Sequence, residues 1–289
     1  MTETDFADRY GPWAVIAGAS MGIGRALSHE AARRGLDVVM LARRRERLEA
    51  TAAEVADVHG VQVRTLAIDL AAADVGDRVR EATDDLDVGL LVYNAAVAPT
   101  GRFVDEDLDL LLLSVEVNCR TPVVLGHHFA RRLVDRGRGG IVMISSMGGT
   151  QGSTNFATYN AGKAFEWILA EGLWTELGDH GVDATCVFVG ATSSPNYNAF
   201  QETLDPELCN RTDSDDPLDL ARSRLMRPST PEDVAVASLD AIGTGPVAYT
   251  SPVDEKVSRT CFAMPRDAAT LVWRELQETS TRKPDRIAR

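Results

Sequence analysis

Stretch after stretch of this chain is apolar at nearly every position: WAVIAGA (13–19), DVVMLA (37–42), VGLLVYNA (88–95), GGIVMISS (139–146) and DATCVFVGA (183–191). A strand with one wet face alternates apolar and polar residues. A run of Val, Ile and Leu without alternation is a strand covered on both faces. Longer amphipathic stretches separate these runs and predict helices over 22–35, ending at Gly35, and 43–60, closed by Gly60. Further helices are expected over 74–85, 157–179 and 231–243, with a long helical region over 105–136 kinked at Pro122. VQVRTLAID (61–69) and residues 246–250 complete the strands, and a helix near 265–279 precedes a loose tail, TRKPDRIAR. This order predicts an α/β fold, a doubly wound parallel sheet of the Rossmann type.

The connections are short, there is no internal repeat, and 289 residues suit one large domain with its core over about 11–250. The exception is 192–230, a polar, acidic segment punctuated by Pro195, Pro206, Pro217 and Pro228. Leu204, Leu208, Leu218, Leu225 and Met226 would give short helices there an apolar underside, and a lid over a substrate is expected.

Composition narrows the functional classes. A net charge of −13 disfavours nucleic acid and anionic membrane surfaces as partners. No apolar run is long enough to span a bilayer, and the acidic start MTETDFADRY lacks a signal-peptide core, so a cytoplasmic protein is expected. Cys119, Cys186, Cys209 and Cys261 make no metal-ligand spacing; free thiols and no metal are expected.

The first strand runs into AGASMGIGRAL, which places Gly18, Gly22 and Gly24 where strand turns into helix. Glycines there let the backbone approach a diphosphate, and the free N–H groups of a helix start face its charge. The second strand ends in LARRR. Ala42 stands where an acid would hold the ribose of NAD, and Arg43 and Arg44 follow. A guanidinium binds phosphate through two parallel hydrogen bonds. These residues favour NADP(H), with Arg43 the leading contact and NAD(H) the alternative.

With these motifs in order, the chain resembles the short-chain dehydrogenase/reductase family over about residues 11–250. GASMGIG is similar to the family's cofactor loop, which brings Ser20 and Ile23 into the expected contact set. Asp69, followed by Leu70, looks like the aspartate that bonds the adenine amino group. YNAA (93–96) resembles the N-N-A-G element, so Asn94 and Ala95 carry over. Asn118 matches the helix asparagine of the catalytic set, Ser146 stands thirteen residues before Tyr159, and Tyr159 with Lys163 matches Y-x-x-x-K. Thr192 stands where a threonine commonly meets the nicotinamide amide. The chain departs from the pattern at Tyr93, Ala96, Val189 and Met21, the last in place of a basic residue common among NADP users.

The chemistry explains the residue types. Reducing a ketone adds hydride to carbon and a proton to oxygen. The cofactor carries the hydride. A free tyrosine ionises near pH 10, too high for ready exchange near neutrality, and an ammonium close by stabilises the phenolate. Lys163, one helical turn from Tyr159, is placed to do so, and Ser146 can hydrogen-bond the substrate oxygen. The resemblance implies that Lys163 also bonds the nicotinamide ribose. It implies too that Asn118 holds a water linking Lys163 to solvent.

The expected activity is therefore interconversion of a ketone and a secondary alcohol on a lipophilic small molecule, with a steroid, polyketide or acyl chain suggested by the lid. Alternatives are a 3-oxoacyl reductase acting on a carrier protein or coenzyme A, and a redox-silent NADP-binding scaffold. The basic run RRLVDRGRG (131–139) could receive an acidic carrier, but favourable charge at a helix C-terminus and a solvated turn is the preferred reading. Tyr197 and Phe200 are candidates for the pocket wall, and His127 and His128 read as structural. The family's long helices often pair between subunits, so a homodimer or homotetramer is expected.

Overall fold

The structure, a computed structural model, describes residues 2–194, 197–198, 201–202, 204–205, 209 and 215–279. Seven parallel strands form one sheet in the order β3-β2-β1-β4-β5-β6-β7. They are β1 (Trp13–Ala17), β2 (Asp37–Ala42), β3 (Val63–Ala67), β4 (Val88–Tyr93), β5 (Gly139–Ser146), β6 (Val182–Val189) and β7 (Val247–Tyr249). All of β4 is buried, as are Ala14 to Ala17 of β1, which is what the unbroken apolar runs require.

The helices lie on both faces: α1 (Glu3–Tyr10), α2 (Gly22–Arg33), α3 (Arg45–His59), α4 (Val75–Thr83), α5 (Leu108–Val115), α6 (Thr121–Arg136) and α7 (Ala157–Leu177). After β6 come α8 (Pro217–Met226), α9 (Pro231–Ala241), α10 (Pro252–Ala263) and α11 (Arg266–Thr279). One hydrophobic core joins α1, α2, α3 and α9 to one sheet face, and a second joins α4, α6 and α7 to the other. A third cluster, around Phe188, Leu220, Val257, Cys261 and Leu276, seats α8, α10 and α11 over the carboxyl end of β6.

Strand order reverses between β1 and β4, so the βα turns there splay apart and leave a crevice at the carboxyl ends. The expected long helix over 105–136 is interrupted one turn before Pro122. Residues Glu116–Arg120 form a π turn, with the Thr121 N–H reaching the Glu116 carbonyl. Pro122 then sits in the first turn of α6, where a missing N–H costs little. Two helices are absent from the sequence expectation. α1 is fixed by a capping box between Thr2 and Asp5, and α10 starts at the Ser251 cap. Of the lid residues, Leu204 and Leu220 are buried, whereas Leu208, Phe200 and the tail 281–289 lie outside the described residues.

Candidate active site

The glycine turn behaves as its spacing predicts. Gly18 has φ +84°, and a Cβ there would lie 2.9 Å from the Ala95 Cα. A Cβ on Gly24 would fall 2.0 Å from the Gly18 carbonyl oxygen and 2.8 Å from Asn94 Nδ2. Gly24 therefore lets α2 close onto β1 and β4, and it is Gly18, Ser20, Gly22 and Ile23 that line the crevice. Asn94 Nδ2 donates to the Gly18 carbonyl at 3.3 Å, locking the turn to β4.

This crevice holds about 450 Å³ and is also lined by Arg43, Arg44, Asp69, Leu70, Asn94, Ala95 and Thr192. Asp69 accepts the Ala71 N–H at 3.0 Å, which orients its carboxylate at the β3 end. Ala42 lines it at the β2 end, and among the described residues Arg43 and Arg44 make no ion pair. Arg47, which the sequence reading passed over, sets its guanidinium 3.3 Å from the Met21 sulfur. A cation from α3 thus reaches the place where Met21 replaces a basic residue. The glycine cradle and the oriented Asp69 fit a nicotinamide dinucleotide, with the two guanidinia at the edge of its crevice.

A second cavity of about 500 Å³ adjoins the first, sharing Ile23, Asn94, Ala96 and Thr192 with it. Ser146, Tyr159 and Lys163 stand on its wall together. Ser146 ends β5 and its Oγ accepts the Gly148 N–H at 3.1 Å. Tyr159 sits in the first turn of α7, edge-on to Phe156. The rest of the wall is largely apolar: Met147, Val189, Ala221, Leu225, Trp273 and Leu276. Tyr197 lines it too, its hydroxyl donating to the Leu225 carbonyl at 2.7 Å; burial pushes that phenol up to about 12.

Lys163 is 2% exposed, with its Nζ 6.0 Å from the Tyr159 ring centre. The ammonium donates to the Ile144 carbonyl at 2.8 Å and to both oxygens of Glu166, at 2.9 and 3.1 Å. Burial works against the lysine's charge, but Glu166 outweighs it and the lysine is raised. Glu166 itself is fully buried, and burial pushes it up to about 7 against the pull of Lys163. The sequence reading missed Glu166, because an acid in AFEWILAEGLW looks like a wet helix position. Its one available signal was the i, i+3 spacing from Lys163.

Asn118 is fully buried on the π turn. Its Nδ2 donates to the Val97 carbonyl at 2.7 Å and to Ser114 Oγ at 3.0 Å, and its Oδ1 accepts the Val97 N–H at 2.9 Å. Its side chain thus clamps the strand exit after β4 rather than touching Lys163. Another polar wall was also missed. Arg224 of α8 donates through Nε to both carboxylate oxygens of buried Asp254 at 3.1 Å, bolting α8 to α10. Burial raises Asp254, with Arg224 opposing.

Other sequence candidates fall away from the site. Arg132 donates to the Thr83 and Leu86 carbonyls, Arg136 pairs with Asp87, and Arg138 donates to the Asp8 carbonyl. That basic run is therefore largely spent on the fold. His128 packs edge-on against Phe129. Among the described residues no cluster of His, Cys, Asp or Glu could hold a metal, and Cys119, Cys186 and Cys261 are free thiols. No described helix is long and apolar enough to cross a membrane.

The family model for short chain dehydrogenases matches residues 12–205. The chain belongs to the short-chain dehydrogenase family. As a member it is an NAD(P)-dependent oxidoreductase, as the paired crevices indicate. Its similarity to a 7β-hydroxysteroid dehydrogenase from Clostridium sardiniense is 34% identity over 193 residues, 67% of this chain and 74% of that one. A solved structure of a 7β-hydroxysteroid dehydrogenase superposes with a TM-score of 0.82 at 25% identity, covering 92% of this chain and 98% of its own. A short-chain dehydrogenase from Sphingobium yanoikuyae, solved with NADPH, gives a TM-score of 0.69 at 28% identity, covering 89% and 97%.

Proposed function

We propose that this dehydrogenase uses NADP(H) to interconvert a ketone and a secondary alcohol on a bulky, lipophilic, steroid-like molecule. One observation carries the reading: the largely apolar cavity of about 500 Å³ has Ser146, Tyr159 and Lys163 together on the wall where it meets the glycine-turn crevice. The bound cofactor supplies the hydride. In the reducing direction Tyr159 gives its proton to the substrate oxygen, and Ser146 donates a hydrogen bond to the same oxygen as charge develops. Lys163 stabilises the phenolate left behind. Asn118 fixes the π turn through its side-chain bonds to Val97 and Ser114, next to which a water linking Lys163 to solvent would sit. The hydroxysteroid relatives and the cavity's size and apolar wall favour a fused-ring substrate over a small polar one.

Free Arg43 and Arg44, supported by Arg47 and without an acid at Ala42, favour the 2′-phosphate of NADP(H). Within a single domain, the 192–230 segment would act as a lid over the substrate, as its described residues Tyr197, Ala221, Arg224 and Leu225 line the cavity. A homodimer or homotetramer fits the exposed apolar faces of α5 (Leu108, Leu112, Val115) and α7 (Phe165, Ile168). A cytoplasmic setting agrees with the free thiols. The carrier-protein reading loses support because Arg132, Arg136 and Arg138 are engaged within the fold.

The test is a fluorescence titration with NADPH and NADH, followed by a reduction assay on 7-oxo steroids and on small aliphatic ketones. Tighter NADPH binding and preferred steroid turnover are expected. Equal binding of NADH would overturn the cofactor reading, and turnover confined to small ketones would overturn the substrate reading.

A further inference from the structure

The buried face of α7 carries three polar residues toward the sheet, Asn160, Lys163 and Glu166, in a helix otherwise apolar on that side. The roles of Lys163 and Tyr159 leave Glu166 without one. It is fully buried, 3 Å from the ammonium that faces the reacting tyrosine. A buried carboxylate costs several kcal/mol to keep ionised, roughly in line with the desolvation of any such ion. An apolar residue would fill the same place without that cost.

We propose that Glu166 is a positioning residue of this active site: it holds the Lys163 ammonium against the Ile144 carbonyl and sets how much of its positive charge reaches Tyr159. The inference rests on Tyr159 and Lys163 being the acid/base pair. The lysine has three N–H bonds, and the structure gives three short acceptors, one on β5 and two on Glu166. The ammonium is therefore aimed inward. Any hydroxyl group that it bonds in the crevice must displace Glu166 from one of its contacts.

The groups facing Glu166 come from every neighbouring element. Lys163 lies on its own helix, Tyr93 on β4, Cys119 on the π turn and Cys186 on β6. Tyr93 is one of the positions at which the chain departs from its family's pattern. Burial, followed by the nearness of Glu166, raises Tyr93 and Cys119, so both stay neutral and leave Lys163 as the charge that answers Glu166. The Tyr93 hydroxyl donates instead to the Val117 carbonyl, which ties the π turn to the same buried cluster.

An ionised Glu166 keeps the buried Lys163 charged; with a neutral side chain there, burial acts on the lysine unopposed by that carboxylate, the ammonium is lost at lower pH, and the Tyr159 phenolate becomes harder to form. The experiment is an ultraviolet difference titration of tyrosine ionisation in Glu166→Gln, Glu166→Asp and the parent, each blanked against its own Tyr159→Phe variant. It needs no substrate, so its outcome is separate from that of the steroid assay. In E166Q the Tyr159 signal should rise at a higher pH than in the parent, by about one unit, equal to about a tenfold change in the ionisation constant. E166D, whose carboxylate is withdrawn by one methylene, should move the same way by less. A residue that merely fills space would leave the parental curve unchanged. Superposition of the parental curve with that of whichever variant folds, or a shift to lower pH, would overturn the proposal.

Discussion

Replacing Asn118 by alanine should destabilise the protein by several hydrogen bonds' worth, whatever it does to turnover. The side chain makes three hydrogen bonds, two to the Val97 backbone and one to Ser114, all at 3.0 Å or less. At about 1 kcal/mol net for each, the loss is about 3 kcal/mol. That is a large share of a typical stability of about 5–15 kcal/mol. With a urea m-value of about 3 kcal/mol/M, the midpoint should fall by about 1 M. The assay is equilibrium urea unfolding of the cofactor-free protein by circular dichroism. Asn118→Asp sharpens it. This change has the same shape but sets a carboxylate oxygen where Nδ2 faces the Val97 carbonyl at 2.7 Å. Its stability should therefore rise as the pH falls and the acid is protonated. A shift below about 0.3 M for N118A, equivalent to less than about 1 kcal/mol, would refute the clamp and return Asn118 to a purely catalytic role.

Tyr159→Phe should lower turnover by about 10²–10⁴-fold or more while leaving the NADPH dissociation constant within twofold, measured by steady-state kinetics and fluorescence titration. Arg43→Ala with Arg44→Ala should weaken NADPH binding by about tenfold or more and leave NADH unchanged, since each charged phosphate contact contributes about 1.5–3 kcal/mol. Glu166 gives a pH signature in stability. Its folded value of about 7 lies above its ordinary value of 4.5, so its contribution is complete below 4.5 and is lost as the pH rises through about 7. The parent should therefore lose about 3 kcal/mol more than E166Q between pH 4 and 8 in urea unfolding. Asp254→Asn leaves Arg224 buried against a neutral side chain and should cost about 3–5 kcal/mol, read from the same unfolding curves.

The sheet was legible because burial on both faces writes itself into uninterrupted Val, Ile and Leu runs. Gly18, Ser146, Tyr159 and Lys163 were legible because each stands at a fixed offset from a strand end or a helix turn. Glu166 was not, since nothing in one sequence distinguishes an acid on the wet face of a helix from an acid folded inward onto a lysine. The π turn was equally hidden. Pro122 signals a break in the ladder, but whether the chain kinks there or inserts an extra residue a turn earlier depends on where Asn118 must point. The helix α10 was overlooked for a different reason. PVDEKVSRTCFA has few large apolar residues, and what seats it is long-range: Val257 and Cys261 in the third cluster, and the ion pair from Asp254 to Arg224.

The first helix gains its last anchor late. Its Tyr10 hydroxyl reaches Asp183 at 2.7 Å, across 173 residues of chain. On a ribosome adding about 5–20 residues per second, α1 waits roughly 10–35 s for that anchor to be made. Through that interval Phe6 and Tyr10, both 1% exposed in the finished protein, lack their full cover. A bulky fusion ahead of Thr2 would act on yield during synthesis, even where the purified enzyme shows no defect in rate.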